Sequence, residues 1–231
     1  MYGYYYDGIS YVFMILSLIV STYAHFKVQH AFNKYSKIRC SKGLSGAEAA
    51  RKVLDFNGVS GVNIERTRGY FTDYFDSRSE RICLSDNVYD ATTIASVSVA
   101  AHESGHATQY SKNYFPLKLR HLLVPVTQIG SNLSMPFIIL GLMVPSWGYF
   151  VNIGIILFSF AVIFQVVTLP VEFDASRRAL ETIKATNMLD SSEIEGAKAV
   201  LKAAAFTYVA ATFTALLSLL RLIWMSRNRK N

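Results

Sequence analysis

Hydrophobic and polar positions fall into long blocks along this chain, not into the short alternations of a β protein. Four apolar stretches stand out: Ile9–Phe26, Val124–Val144, Tyr149–Leu169 and Ala203–Met225. Each is about as long as the roughly 20 residues a helix needs to cross a bilayer. The first carries no charge. A cleaved signal would need basic residues ahead of the apolar run, yet Met1–Gly8 offers only Asp7, so the pattern predicts a membrane anchor over residues 1–26. The second and third stretches are separated only by Pro145-Ser146-Trp147-Gly148 and predict a helical hairpin over 122–169. Pro125 lies near the start of its first helix, while Pro136 is expected to kink it, a break that neighbouring helices can tolerate in a membrane. The fourth stretch is richer in Ala and Thr and contains Arg221, which gives it the weakest membrane signature.

Polar chain fills the gaps. Ser45-Gly-Ala-Glu48 reads as a capping box, with the Ser hydroxyl on the third amide of a helix and the Glu reaching back. That helix continues through Ala49–Asn57, and Gly58 can close it. Strand-like runs follow at Val62–Arg66, Tyr70–Phe75 and Arg81–Leu84, with a polar turn at Asp76–Ser79. Asp90 is expected to cap a long helix through Ala91–Tyr110. The chain thus divides into an anchor (1–26), a polar α+β region (27–121), a hairpin (122–169), a polar helix (170–202) and a fourth hydrophobic helix with a basic tail (203–231). The tyrosines of the first six residues suit an aromatic girdle at a membrane interface.

Composition agrees with a membrane protein. Of 231 residues 52% are hydrophobic and only 17% charged, against about 25% charged in ordinary soluble domains. Lys and Arg number 23 against 16 acids, a net charge of +7. The basic residues track the membrane flanks instead of forming one patch interleaved with aromatics, which argues against a nucleic-acid partner. Lys27, Lys34, Lys37, Arg39 and Lys42 follow the first stretch, Arg177, Arg178 and Lys184 follow the third, and the 144–149 turn is uncharged. The positive-inside rule then places the N-terminus outside and both polar regions in the cytosol. Arg227, Arg229 and Lys230 break that pattern if the fourth stretch crosses, so the charge rule leaves its crossing open. Cys40 and Cys83 are far apart and form neither a disulfide framework nor a cysteine metal site.

The candidate chemistry lies in His102-Glu103-Ser104-Gly105-His106. At 100° per residue the two histidines sit about 40° apart on one helix face, one turn from each other, so both imidazoles can hold one metal ion. Glu103 lies about 60° from His106, able to reach a water on that ion without itself being a ligand. Neutral imidazole suits Zn²⁺. A third protein ligand is required, and the sequence offers several candidates. His25 and His30 flank the first stretch, and His121 lies in a basic membrane-entry segment. Glu172 is better placed: the hairpin carries the chain out and back, returning this carboxylate to the membrane face from which His106 departed. Asp174 is the alternative ligand or a partner for an imidazole.

At these residues the chain resembles the bacterial YugP-like neutral zinc metallopeptidases, a membrane protease family. The likeness runs through LSGAEAARKVLDFNG, RGYFTDYFDSRSERICLS, SVSVAAHESGHATQ, TLPVEFDASRRAL and KAVLKAAAFTYVAA. It implies a membrane-bound, zinc-dependent endopeptidase with His102 and His106 as ligands and Glu103 as the catalytic acid and base. The layout is also similar to HtpX-type gluzincins, in which the glutamate of an E-x-x-x-D pattern is the third ligand. That glutamate corresponds to Glu172 here, but Ser176 stands where the pattern has Asp.

The expected fold is therefore a mainly α membrane protein: about four hydrophobic helices with a small α+β zincin-like part carrying the H-E-x-x-H helix. The expected function is metal-assisted hydrolysis of peptide bonds in a peptide or membrane-protein substrate, in the cell membrane, with the site on the cytosolic side. An extended substrate would add to an edge strand, either Tyr70–Phe75 or Arg81–Leu84. Tyr208 is a candidate hydrogen-bond donor to the oxyanion. The rival reading is a non-catalytic membrane partner with a structural zinc. Substrate identity and oligomeric state have no sequence signature here.

Overall fold

The computed structural model describes residues 8–228, apart from the side chains of Pro145 and Asn228. The tyrosines near the N-terminus and the last two basic residues, Arg229 and Lys230, lie outside the described residues. In chain order the elements are α1 (Gly8–Tyr35), α2 (Gly46–Phe56), β1 (Asn63–Thr67), β2 (Tyr74–Asp76), β3 (Arg81–Ser85), α3 (Asp86–Tyr89), α4 (Ile94–Ser111), α5 (Phe115–Met143), a 3₁₀ turn (Pro145–Trp147), α6 (Tyr149–Ala185) and α7 (Ser191–Asn228). They form two compact units. One comprises α1 up to Ala24, Leu119–Thr168 and the chain from Tyr208; the other comprises His25–Lys118 and Leu169–Thr207.

The first unit consists of the apolar segments. Helices α1, α5, α6 and α7 are each long and apolar enough to cross a membrane. Helix α5 runs on through both Pro125 and Pro136. It packs closely on α6, where a Cβ at Gly154 would stand only 2.7 Å from the carbonyl oxygen of Ser134. With little apolar gain available between helices in lipid, such backbone proximity lets van der Waals contact hold the hairpin together.

The second unit is built around a buried core. Val53 and Leu54 of α2, Ile82 and Leu84 of β3, and Val97 and Ala101 of α4 meet Ile183 of α6 and Ala197 and Leu201 of α7. The capping box at Ser45 is formed: Glu48 N donates to Ser45 Oγ at 3.3 Å and Ser45 N to Glu48 Oε2 at 2.8 Å. Helix α4 is buried on all sides, so its hydroxyls bond to its own carbonyls: Ser98 to Ile94 at 2.6 Å, Ser104 to Ala100 and Thr108 to Ser104, both at 2.8 Å. Such back-bonding satisfies a buried hydroxyl without a partner from outside the helix.

Several boundaries differ from the sequence reading. Helix α4 is capped by Thr93, not Asp90. Thr93 and Ser96 exchange side-chain and backbone hydrogen bonds, while Asp90 ends α3 and pairs with Arg66. The cause is long-range: Ile94 N donates to Ile38 O and Cys40 N to Thr92 O, which keeps residues 92–93 extended. Strand β2 is also shorter than the run Tyr70–Phe75. Gly69 and Phe71 take positive φ, so the chain turns before Tyr74. The strand order β1-β3-β2 puts Arg81–Leu84 in the centre, parallel to β1 and antiparallel to β2, so that run has no free edge.

Strand β2 is an edge strand that packs against α4. It is pinned by Asp73, whose carboxylate accepts hydrogen bonds from the backbone N–H of Ser85 at 2.7 Å and from its hydroxyl at 2.9 Å. Burial pushes the Asp73 carboxyl upward in pKa. Replacing Asp73 by Ala strands both donors of the fully buried Ser85 and is expected to cost about 1–3 kcal/mol of folding stability. Asp73→Asn, which keeps an acceptor oxygen, should cost less. Chemical denaturation in detergent checks this order.

Candidate metal centre

Helix α4 brings His102, Glu103 and His106 to one site, and the middle of α6 brings Glu172. Pro170 and Glu172 both lie inside the continuous helix α6, and Glu172 is only 1% exposed. Its Oε2 stands 3.3 Å from His102 Nε2 and 3.5 Å from His106 Nε2. Donor atoms bound to a tetrahedral zinc at about 2.0–2.1 Å are spaced by about 3.4 Å, so these separations match two edges of such a site. The imidazole rings lie edge to face, 4.7 Å between centres. His102, His106 and Glu172 are the group of potential metal ligands among the described residues. The donor set of two imidazoles and one carboxylate fits zinc.

Comparison with known proteins agrees with this geometry. A family profile described as "Putative neutral zinc metallopeptidase" matches residues 10–227. The chain belongs to this family. It is also 43% identical over 217 residues to the "Putative membrane protease YugP" of Bacillus subtilis (strain 168), covering 94% of this chain and 96% of that protein. No solved structure matches the chain.

What lets the chain bring these two helices so close is Gly105. A Cβ there would fall 2.6 Å from the carbonyl oxygen of Ala175, inside any real contact distance, so α4 and α6 touch backbone to backbone between Glu172 and Ser176. On the other side, Ser104 Oγ lies 3.3 Å from the carbonyl oxygen of Ala50, tying α4 to α2.

The residues around the imidazoles are specific. Ser176 Oγ lies 3.2 Å from His102 Nδ1, so the serine standing in place of the E-x-x-x-D aspartate still contacts an imidazole. Gln109 Oε1 lies 3.0 Å from His106 Nδ1. Asp174 reaches no imidazole directly. It accepts a bond from Gln109 Nε2 at 3.0 Å and from Arg178 Nε at 2.6 Å, and it pairs with Arg177. Glu103 is buried beside the group, and loss of solvation raises its pKa against the opposing pull of His102 and His106.

Other candidates lie elsewhere. His25 packs against Phe26 on α1, and neither it nor His30 belongs to the ligand group. His121 and Tyr208 fall in the other compact unit, on α5 and α7. The sequence reading missed Gln109, although its spacing three residues after His106 places it on the same helix face.

Gly105→Ala is expected to push α4 off α6 and weaken zinc binding by at least about tenfold, because the ligand separations cannot survive a shift of several tenths of an ångström. Zinc affinity of the purified variant, measured by chelator competition, checks this; unchanged affinity would contradict the close-crossing argument.

Proposed function

We propose that this chain is a multi-pass membrane endopeptidase in which His102, His106 and Glu172 hold a catalytic zinc, with the site at the cytosolic surface. The convergence of two Nε2 atoms and one carboxylate oxygen beside the buried Glu103 carries this reading. Zinc held there would supply the Lewis acidity that brings the pKa of water towards about 7. Among the described residues the donor set has three members, which supports a catalytic over a structural role, since structural zinc sites close their shell with four protein ligands.

Glu103 is the proton carrier. Its carboxylate takes a proton from the attacking water as the oxygen bonds to the substrate carbonyl carbon. It then delivers that proton to the amide nitrogen as the C–N bond breaks, so the glutamate ends as it began. Burial raises its pKa above the ordinary carboxylate value, the direction that helps the side chain hold the proton between the two steps. Strand β2 is the edge to which an extended peptide would add beside α4.

The membrane placement rests on helix length and charge. Glu172 lies 23 residues beyond Tyr149 in one helix (172 − 149), about 35 Å along its axis and so past a hydrocarbon core about 30 Å thick. Basic residues follow α1 and the apolar part of α6, while the 144–149 turn carries none, which supports a cytosolic site.

Glu103→Gln keeps the shape of the side chain and removes the proton carrier. The variant is expected to bind one zinc per chain and to hydrolyse peptide or membrane-protein substrates about 10²–10⁴-fold more slowly than wild type. Wild-type turnover in this variant would rule out the mechanism.

A further inference from the structure

We propose that Gln109 is a positioning residue for the metal site: its side-chain amide fixes the tautomer and ring plane of His106, so that Nε2 faces the ion. The inference rests on the zinc reading above and goes beyond it by assigning a residue that is neither ligand nor proton carrier.

Three contacts decide the amide's orientation. Gln109 is fully buried at the end of α4. Its Nε2 donates to the carbonyl oxygen of Val171 at 2.7 Å and to Asp174 Oδ2 at 3.0 Å. Both partners are pure acceptors, so the NH₂ must point at them and the amide cannot flip. Oε1 is thereby forced toward His106 Nδ1, 3.0 Å away, and an oxygen there can only accept. His106 Nδ1 must then carry a proton and donate it, which in the neutral imidazole leaves the Nε2 lone pair facing Glu172 Oε2. Two lone pairs turned on each other repel unless a cation lies between them.

The same amide links the two helices that supply the ligands. Val171 immediately precedes Glu172, and Asp174 follows it by two residues, so Gln109 grips α6 on both sides of the third ligand. Asp174 is held in turn by Arg178 Nε at 2.6 Å and by Arg177, which fixes its carboxylate and offsets its charge. Tyr114 lies against the Arg178 guanidinium at 5.8 Å and closes this outer layer. The chain of contacts therefore runs from a charged pair through one amide to one ligand.

The test uses full-length protein in detergent, with Zn²⁺ as the probe in chelator competition and Co²⁺ for its visible d–d spectrum. Gln109→Met keeps the bulk and removes every hydrogen bond; Gln109→Glu keeps an acceptor for His106 but loses both donors. The expected order of zinc affinity is wild type, then Gln109→Glu, then Gln109→Met, the last about 10–100-fold weaker than wild type, as for other residues that orient a metal-bound histidine. Its cobalt spectrum should shift as well. Thr108→Val removes an equally buried hydroxyl that bonds only to its own helix, so zinc affinity should stay at the wild-type level. A merely structural Gln109 would leave Gln109→Met binding zinc no more weakly than Gln109→Glu, and that result overturns the proposal. If Gln109→Met does not fold, side-chain ¹⁵N spectra of zinc-loaded wild type decide: His106 should be metal-bound through Nε2 with Nδ1 protonated, and metal on Nδ1 overturns the assignment. A wild type that binds no zinc would instead refute the metal reading on which this inference rests.

Discussion

A carboxylate at 1% exposure between two imidazoles is the constraint around which the rest of the structure is arranged. Removing an ionised carboxylate from water costs several kcal/mol even after relaxation, and that cost must be offset locally. Neutral imidazoles alone do not offset it when their lone pairs face the anion. A divalent cation converts the repulsion into three attractive contacts at once. The family to which the chain belongs and the spacing of the donor atoms point to zinc as that cation.

This constraint explains features remote from the ligands. Gly105 lets α4 and α6, the helices that carry His102, His106 and Glu172, approach to backbone contact. Helix α4 carries serine and threonine where a soluble helix would show a polar face, since α2, the sheet and α6 surround it and its hydroxyls can turn back on their own carbonyls. Asp174 stays ionised at little cost because Arg177 and Arg178 lie one turn along the same helix. Burial and polarity thus coexist in the second unit because Ser176, Gln109 and Asp174 each bond to a polar partner beside the imidazoles.

Much of this was legible in the sequence for identifiable reasons. Apolar runs of membrane length and the spacing of His102, Glu103 and His106 are local signals, and so is the capping box of Ser45 and Glu48. What failed depended on contacts distant in sequence. Thr93 displaced Asp90 as the cap because residues 38–40 pair with residues 92–94. Arg81–Leu84 could not be recognised as a central strand without knowing that β1 joins it in parallel. The polar helix is expected to start at residue 170, yet α6 runs unbroken from Tyr149 to Ala185 and makes Glu172 a mid-helix residue. Ser176 looked like a defect relative to an aspartate pattern, but its hydroxyl meets His102, while Gln109 serves His106 from α4 itself.

The most direct measurement is X-ray absorption at the zinc edge on the purified, zinc-loaded wild-type protein. The expected spectrum shows two imidazoles with two further oxygen scatterers, one from Glu172 and one from solvent, at the short distances of four-coordinate zinc. A sulfur scatterer from Cys40 or Cys83, or a single imidazole, would contradict the site on which the whole structural argument is built.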